Sequence, residues 1–212
     1  MSEWRLFEAG TVPGCSTPRF FEVHPWVPPE AQAGHAERTA MVREMVSDIV
    51  RGEPGLLTLS DLGCGDGRFL ASLKGLGLRV WGYDAGRENV QKAAEVGLDV
   101  QHRDILRHPL VYGSLVTCCE VVEHLHDPHG FLSGLRMHAD RIILSSPSAE
   151  DDQWHYADHT WAWDLEGYAA LVSGSGWEVV EQRECDGGVN HHFGVERPQR
   201  FQAIYARRAG SR

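Results

Sequence analysis

Within five consecutive positions the chain carries two carboxylates and an imidazole, Glu120-Val-Val-Glu123-His124. Such groups converge when a strand passes into one helical turn, and two kinds of chemistry then become available. They can bind a divalent cation through oxygen and nitrogen ligands, or set a general base beside a reacting atom. A plainer arrangement also fits the spacing, in which Glu120 orients a bound cofactor and Glu123-His124 closes a turn. Further on, His155-Tyr-Ala-Asp158-His159-Thr-Trp161-Ala-Trp163 brings two more imidazoles among aromatic residues. For His155 and His159 the plain alternative is a polar loop residue bonded to a backbone carbonyl.

A different signal precedes these. In Thr58-Leu-Ser-Asp-Leu-Gly-Cys-Gly-Asp-Gly-Arg-Phe69, glycines stand at every second position from 63 to 67, between apolar runs. Glycine accepts positive φ and lets a ligand approach where a Cβ would collide. A strand ending in such a turn and feeding a helix offers free backbone N–H groups. A tight strand-to-helix connection would by itself account for the glycines. The next segment adds to them: Arg79-Val-Trp-Gly-Tyr-Asp84 reads as a second strand that ends in a carboxylate. A carboxylate there can accept both hydroxyls of a ribose. The glycines and Asp84 together define a nucleoside pocket at the carboxyl ends of parallel strands. No Gly-Lys-Ser/Thr follows, which excludes a P-loop, and Gly-x-Gly-x-Gly differs from the dinucleotide fingerprint Gly-x-Gly-x-x-Gly.

The elements that must hold these groups alternate. Residues 30–51 read as a helix, with Met41, Val42, Met45, Val46, Ile49 and Val50 at spacings of three and four. Then come strand 57–62, helix 67–74, strand 79–83, helix 87–95, a short strand at 98–101 and strand 115–119. Helix 128–137, strand 141–145, helix 164–174, strand 177–184 and strand 201–207 complete the series. This alternation implies an α/β fold, Rossmann-like and doubly wound, with a mostly parallel seven-stranded sheet. The last two strands lack an intervening helix, so a hairpin through Gly187-Gly188 is expected, with one antiparallel strand near the C-terminus.

Asp61-Leu-Gly63-Cys-Gly65-Asp-Gly67 resembles the first motif of class I S-adenosylmethionine-dependent methyltransferases, and the resemblance extends over about residues 57–207. It implies a donor site made of Asp61, Gly63, Gly65, Asp84, Asp104, Ile105 and Glu120. Asp84 would take the ribose, Asp104 the adenine amino group, Ile105 the ring face and Glu120 the amino-acid end. The Glu-x-x-Glu-His string is similar to that of ubiquinone-type O-methyltransferases. Glu120, Glu123, His124 and His159 together resemble the metal-binding set of the Hen1 family, which methylates the terminal 2′-hydroxyl of small RNAs. Two departures stand out: the intervening loop is short, and Ala162 occupies the position of an expected glutamate. The resemblance therefore implies Glu123, His124 and His159 as catalytic residues, either on Mg²⁺ or a similar ion held with Glu120, or with a histidine alone as base.

The formal charge of −10 argues against broad electrostatic binding to nucleic acid and favours a small-molecule acceptor over RNA. An apolar acceptor pocket built partly from Trp26, Trp161 and Trp163 is expected. A binding module that keeps the fold without catalysis is the third reading, and the intact glycine and acidic positions count against it. The five cysteines include an adjacent pair, Cys118-Cys119, and fit a reducing compartment. No run of about 18 apolar residues occurs and the N-terminus opens polar, so no membrane span and a cytoplasmic location are expected. At 212 residues one domain over the whole chain suffices. Residues 1–30 mix aromatics with prolines and read as an irregular arm, either a packing flap or a substrate lid. Oligomeric state is left open by the sequence.

Overall fold

A computed structural model of the protein describes residues 4–6, 35–148, 150, 159–190 and 197–210. In chain order the elements are β1 (Trp4–Leu6), α1 (His35–Gly52), β2 (Thr58–Leu62), α2 (Arg68–Ser72), β3 (Arg79–Asp84), α3 (Arg87–Glu95) and β4 (Val100–His102). They continue with β5 (Leu115–Cys119), a single 3₁₀ turn (Val122–His124), α4 (Pro128–Leu135), β6 (Arg141–Pro147), β7 (Trp161–Trp163), α5 (Leu165–Gly174), β8 (Trp177–Asn190) and β9 (Arg197–Arg208).

Seven strands form one sheet in the order β4-β3-β2-β5-β6-β9-β8. All neighbours from β4 to β6 pair in parallel, and β9 runs antiparallel to both β6 and β8. The order reverses beside β2, so the carboxyl ends of β2 and β5 open a crevice of the kind where ligands sit in such sheets. The expected doubly wound sheet with one antiparallel strand is therefore present.

Alternation along the central strands builds a core on each face. Leu59, Leu115, Ile143, Ala203 and Tyr205 pack under Met41, Val42, Met45, Val46 and Ile49 of α1. Leu62, Val116, Ile142, Leu144 and Ile204 pack on the other face with Leu132, Leu135, Tyr168 and Val172 of α4 and α5. Strands covered on both faces read as nearly continuous apolar runs, as β5 and β6 do. Asp127 and Asp164 cap α4 and α5, accepting the N–H groups of Gly130 at 2.7 Å and Gly167 at 2.6 Å.

Several expectations need adjusting. The first helix begins at His35 among the described residues, and 30–34 lie outside them. The helix expected over 67–74 is limited to Arg68–Ser72, because Gly75 and Gly77 take positive φ shortly after it. The pairing of β8 with β9 continues past Gly187-Gly188, where an irregularity lies between Asp186 and Val189 and Gly188 has φ 77°. These glycines make a bulge within the strand rather than the expected hairpin turn. The segment read as a loop around Trp161 contains β7, which pairs antiparallel with β1. The remainder of the expected N-terminal arm, including Trp26, and His155 of the second histidine segment lie outside the described residues. Among the described residues no helix is long and apolar enough to cross a membrane.

Candidate active site

The glycine turn and Asp84 meet directly. The Gly65 N–H donates to Asp84 Oδ2 at 2.8 Å, while Asp84 Oδ1 accepts from the Gly86 N–H at 2.7 Å and the Asn89 amide at 3.1 Å. One carboxylate thus clamps the turn after β2 to the turn after β3. Burial pushes the Asp84 pKa up, and the donors from Gly86, Asn89 and Gly65 oppose that rise. Two glycines of the turn do different work. A Cβ on Gly63, at φ 73°, would lie 2.4 Å from Val121 Cγ2, whereas at Gly65, with φ 57°, it would meet nothing within 4 Å. Gly63 serves close packing, and Gly65 faces open space that a ligand can fill.

Asp61, at the end of β2, is buried and accepts the Thr117 hydroxyl at 2.7 Å. Desolvation raises its pKa to about 7 against the pull of Thr117 and Arg38. Asp104 has two roles for its two oxygens. Oδ1 accepts the Leu106 N–H at 2.9 Å and shapes the turn after β4. Oδ2 is buried without a hydrogen-bond donor and lies 3.4 Å from Arg107 Nε. Ile105 is half-buried beside the core. A nucleoside fits this donor set: open space at Gly65, an acceptor at Asp84, an unsatisfied acceptor at Asp104 and an apolar side chain next to it.

The second cluster begins where β5 ends. Glu120 takes φ 57°, a left-handed conformation costing a non-glycine residue roughly 1–2 kcal/mol. It turns the chain from β5 into the 3₁₀ turn that buries Glu123 and His124. The Thr160 N–H donates to the Glu123 carbonyl at 2.8 Å, which draws the preceding His159 against that turn. The His124 and His159 rings meet edge to face, 4.7 Å between centroids. Ligand atoms of Glu123, His124 and His159 all lie within 4.8 Å of one another.

Both carboxylate oxygens of Glu123 are buried and lack a hydrogen-bond partner. Its pKa is pushed well above the usual carboxylate range, first by burial and then by the charge of Glu120. A divalent cation fits three such groups, since an uncompensated buried carboxylate is the atom such an ion satisfies. Glu120, expected as a fourth ligand, lies outside this set. Its Oε1 accepts the Ser145 hydroxyl at 2.9 Å and sits 3.7 Å from Arg38 Nη1. Burial raises the Glu120 pKa, with Arg38 and Ser145 acting against it.

Of the expected acceptor pocket, Trp163 is a core residue, packed on Tyr168 at 5.5 Å. Trp161 stacks parallel to it at 6.1 Å and donates its indole N–H to the Leu125 carbonyl. Alternation in β7 puts both on one face, where Trp163 is buried and Trp161 is half-buried. Sequence reasoning missed Arg38, Ser145, Thr117 and Glu150. Arg38 lies on α1 and carried no local motif; it is the cation set among Asp61 and Glu120.

The family described as a methyltransferase domain matches residues 43–182. That span runs from α1 into β8 and includes both clusters. The chain belongs to this methyltransferase family. Its sheet order and glycine turn are those of the class I S-adenosylmethionine-dependent group. The methyltransferase chain is 36% identical over 85 residues to the ubiquinone biosynthesis O-methyltransferase of Caulobacter vibrioides, covering 36% of this chain and 34% of that protein. It is 38% identical over 82 residues to the protein of the same name from Colwellia psychrerythraea, covering 34% and 33%. These matches span about a third of the curated relatives' length. In fold, this methyltransferase is similar to the crystal structure of magnesium protoporphyrin IX methyltransferase from Synechocystis with bound SAH, at TM-score 0.62 and 17% identity, covering 90% of this chain and 92% of that one.

Proposed function

We propose that the chain acts as one domain that transfers a methyl group from S-adenosylmethionine to a hydroxyl, or another heteroatom, of a small molecule. The observation that carries this reading is the Gly65 N–H to Asp84 hydrogen bond, 2.8 Å long. It supports reading the glycine turn and the carboxylate as two walls of one nucleoside pocket, near Glu123, His124 and His159. When bound, S-adenosylmethionine supplies a methyl carbon activated by its sulfonium for in-line displacement. The protein's task is then to align two reactants and to take one proton.

Gly65 gives the donor backbone contact without a side chain in the way. Asp84 accepts from the ribose hydroxyls, and Asp104 Oδ2 accepts from the adenine amino group while Ile105 lies against the ring. Arg38 and Glu120 face the zwitterionic end with opposite charges. His124 or His159 receives the acceptor's proton, inside a buried cluster where water competes poorly. A divalent cation on Glu123, His124 and His159 would lower the pKa of the acceptor hydroxyl and orient it. The ubiquinone biosynthesis relatives, named as O-methyltransferases, support oxygen as the acceptor atom.

The Glu123-His124-His159 grouping also favours a second reading, metal-dependent methylation of an RNA 2′-hydroxyl. The net charge of −10 weighs against it. Transfer of tritiated methyl to a panel of phenols including catechol, and in parallel to a short single-stranded RNA, separates the two. Label on phenols that is lost in His159→Ala is the expected result. Label on RNA alone, abolished by EDTA, replaces the first reading with the second. Absence of both, with no binding of S-adenosylhomocysteine, contradicts the methyltransferase assignment.

A further inference from the structure

Glu150 stands three residues beyond β6, in a stretch whose composition, Ser-Ala-Glu-Asp-Asp, reads as a solvated acidic turn. Its side chain is instead nearly inaccessible, at 1% exposure, and its Oε2 lies 2.7 Å from Nδ1 of His159. Burying a carboxylate is costly unless it is paired, so a chain that places one here draws it to a specific partner. That partner is a histidine already constrained on two other sides. The Thr160 N–H to Glu123 carbonyl bond fixes the neighbouring backbone, and the His124 ring lies edge-on at an interplanar angle of 82°. A histidine that works through one ring nitrogen needs the proton on the other nitrogen held by an outer partner.

We propose that Glu150 is a positioning residue for His159: it accepts the Nδ1–H, and so fixes the tautomer whose lone pair is on Nε2 and the orientation of the ring beside His124 and Glu123. The proposal rests on the reading of His159 as a group that meets the acceptor or a cation at the acceptor. It holds for either role, since a base and a metal ligand both use the lone pair that Glu150 leaves on Nε2. A merely structural Glu150-His159 contact would hold the same tautomer but leave methyl transfer unchanged when Glu150 is replaced, and that outcome too would overturn the proposal.

The test is ¹⁵N NMR of the imidazoles in the full-length protein, at about pH 9 so that an ordinary imidazole is neutral, with His159→Gln to assign the signal. The wild type is expected to show His159 protonated at Nδ1. Glu150→Ala, and Glu150→Met as a variant that keeps length and apolar burial, are expected to move the proton to Nε2. Affinity for S-adenosylhomocysteine should stay within about twofold, while methyl transfer to a phenol falls roughly 10–100-fold, the usual effect of losing such an outer partner. A wild-type ring protonated at Nε2, or an Nδ1–H form that survives in both variants, overturns the proposal even where donor binding is intact. Loss of donor binding in the wild type, with the Nδ1–H form present and Glu150-dependent, strikes the methyltransferase reading instead and leaves the role of Glu150 standing.

Discussion

In the proposed donor half of the site Asp84 receives three N–H groups; in the proposed acceptor half Glu123, also buried, receives none. The donor half is tied together by backbone amides of two turns, so its shape follows from the fold and needs little from a ligand. The acceptor half is held by contacts between side chains, His159 to Glu150 and His159 to His124, around a carboxylate left unsatisfied. A satisfied site is preorganised for one constant partner. An unsatisfied one is poised for a group that arrives with its own charge or proton, a cation or an acceptor hydroxyl.

The strongest way to break this contrast is to remove the clamp. Asp84→Ala leaves the buried N–H groups of Gly65 and Gly86 without their acceptor, at about 1–3 kcal/mol each. A stability loss of about 2–5 kcal/mol in urea denaturation is expected, together with a fall in S-adenosylhomocysteine affinity. The two glycines sharpen it next. Gly63→Ala meets Val121 and a left-handed backbone, and should cost about 2–4 kcal/mol. Gly65→Ala should cost only about 1–2 kcal/mol from backbone strain yet weaken donor binding more than its stability effect suggests. Equal effects of the two on stability would show that the turn has no ligand-facing side.

Replacing Glu123, unlike Asp84, strands no hydrogen-bond donor. Its folded pKa is raised, so the wild type carries no penalty where both states are protonated. The penalty grows as pH rises through the unfolded value and is complete above the folded one. Glu123→Gln, in EDTA, should therefore gain stability relative to wild type as pH increases, while losing methyl transfer. Thermal melts across pH that show a constant or shrinking gap would contradict the unsatisfied carboxylate. At Asp61 burial outweighs the pull of Thr117 and Arg38. Asp61→Asn should match wild type well below about pH 4 and gain as pH rises to about 7, then level off.

What was legible in the chain follows the same division. The strands around β5 and the apolar stripe of α1 announce themselves because burial on both faces demands continuous or periodic apolar residues. The glycine turn and Asp84 are legible because local backbone geometry demands those types at those positions. Glu150 was not, since its acidic surroundings look solvated and its partner is nine residues away in the chain. Arg38 was missed because helix reading followed the apolar face. Glu120 was read as a ligand from its spacing and from the Hen1 resemblance; its carboxylate accepts the Ser145 hydroxyl, and no sequence pattern marks its left-handed backbone. Trp161 and Trp163 read as pocket aromatics, but packing on Tyr168 puts Trp163 in the core and Trp161 stacks half-buried against it.

Calorimetry with S-adenosylhomocysteine on the wild type, Gly65→Val and His159→Ala tests the central claim most directly. One ligand per chain is predicted, with His159→Ala unchanged and Gly65→Val weakened by at least about tenfold, or 1.4 kcal/mol, because its side chain fills the space the donor needs. Wild-type affinity in Gly65→Val, or no binding to the wild type at all, would contradict a donor pocket between the glycine turn and Asp84.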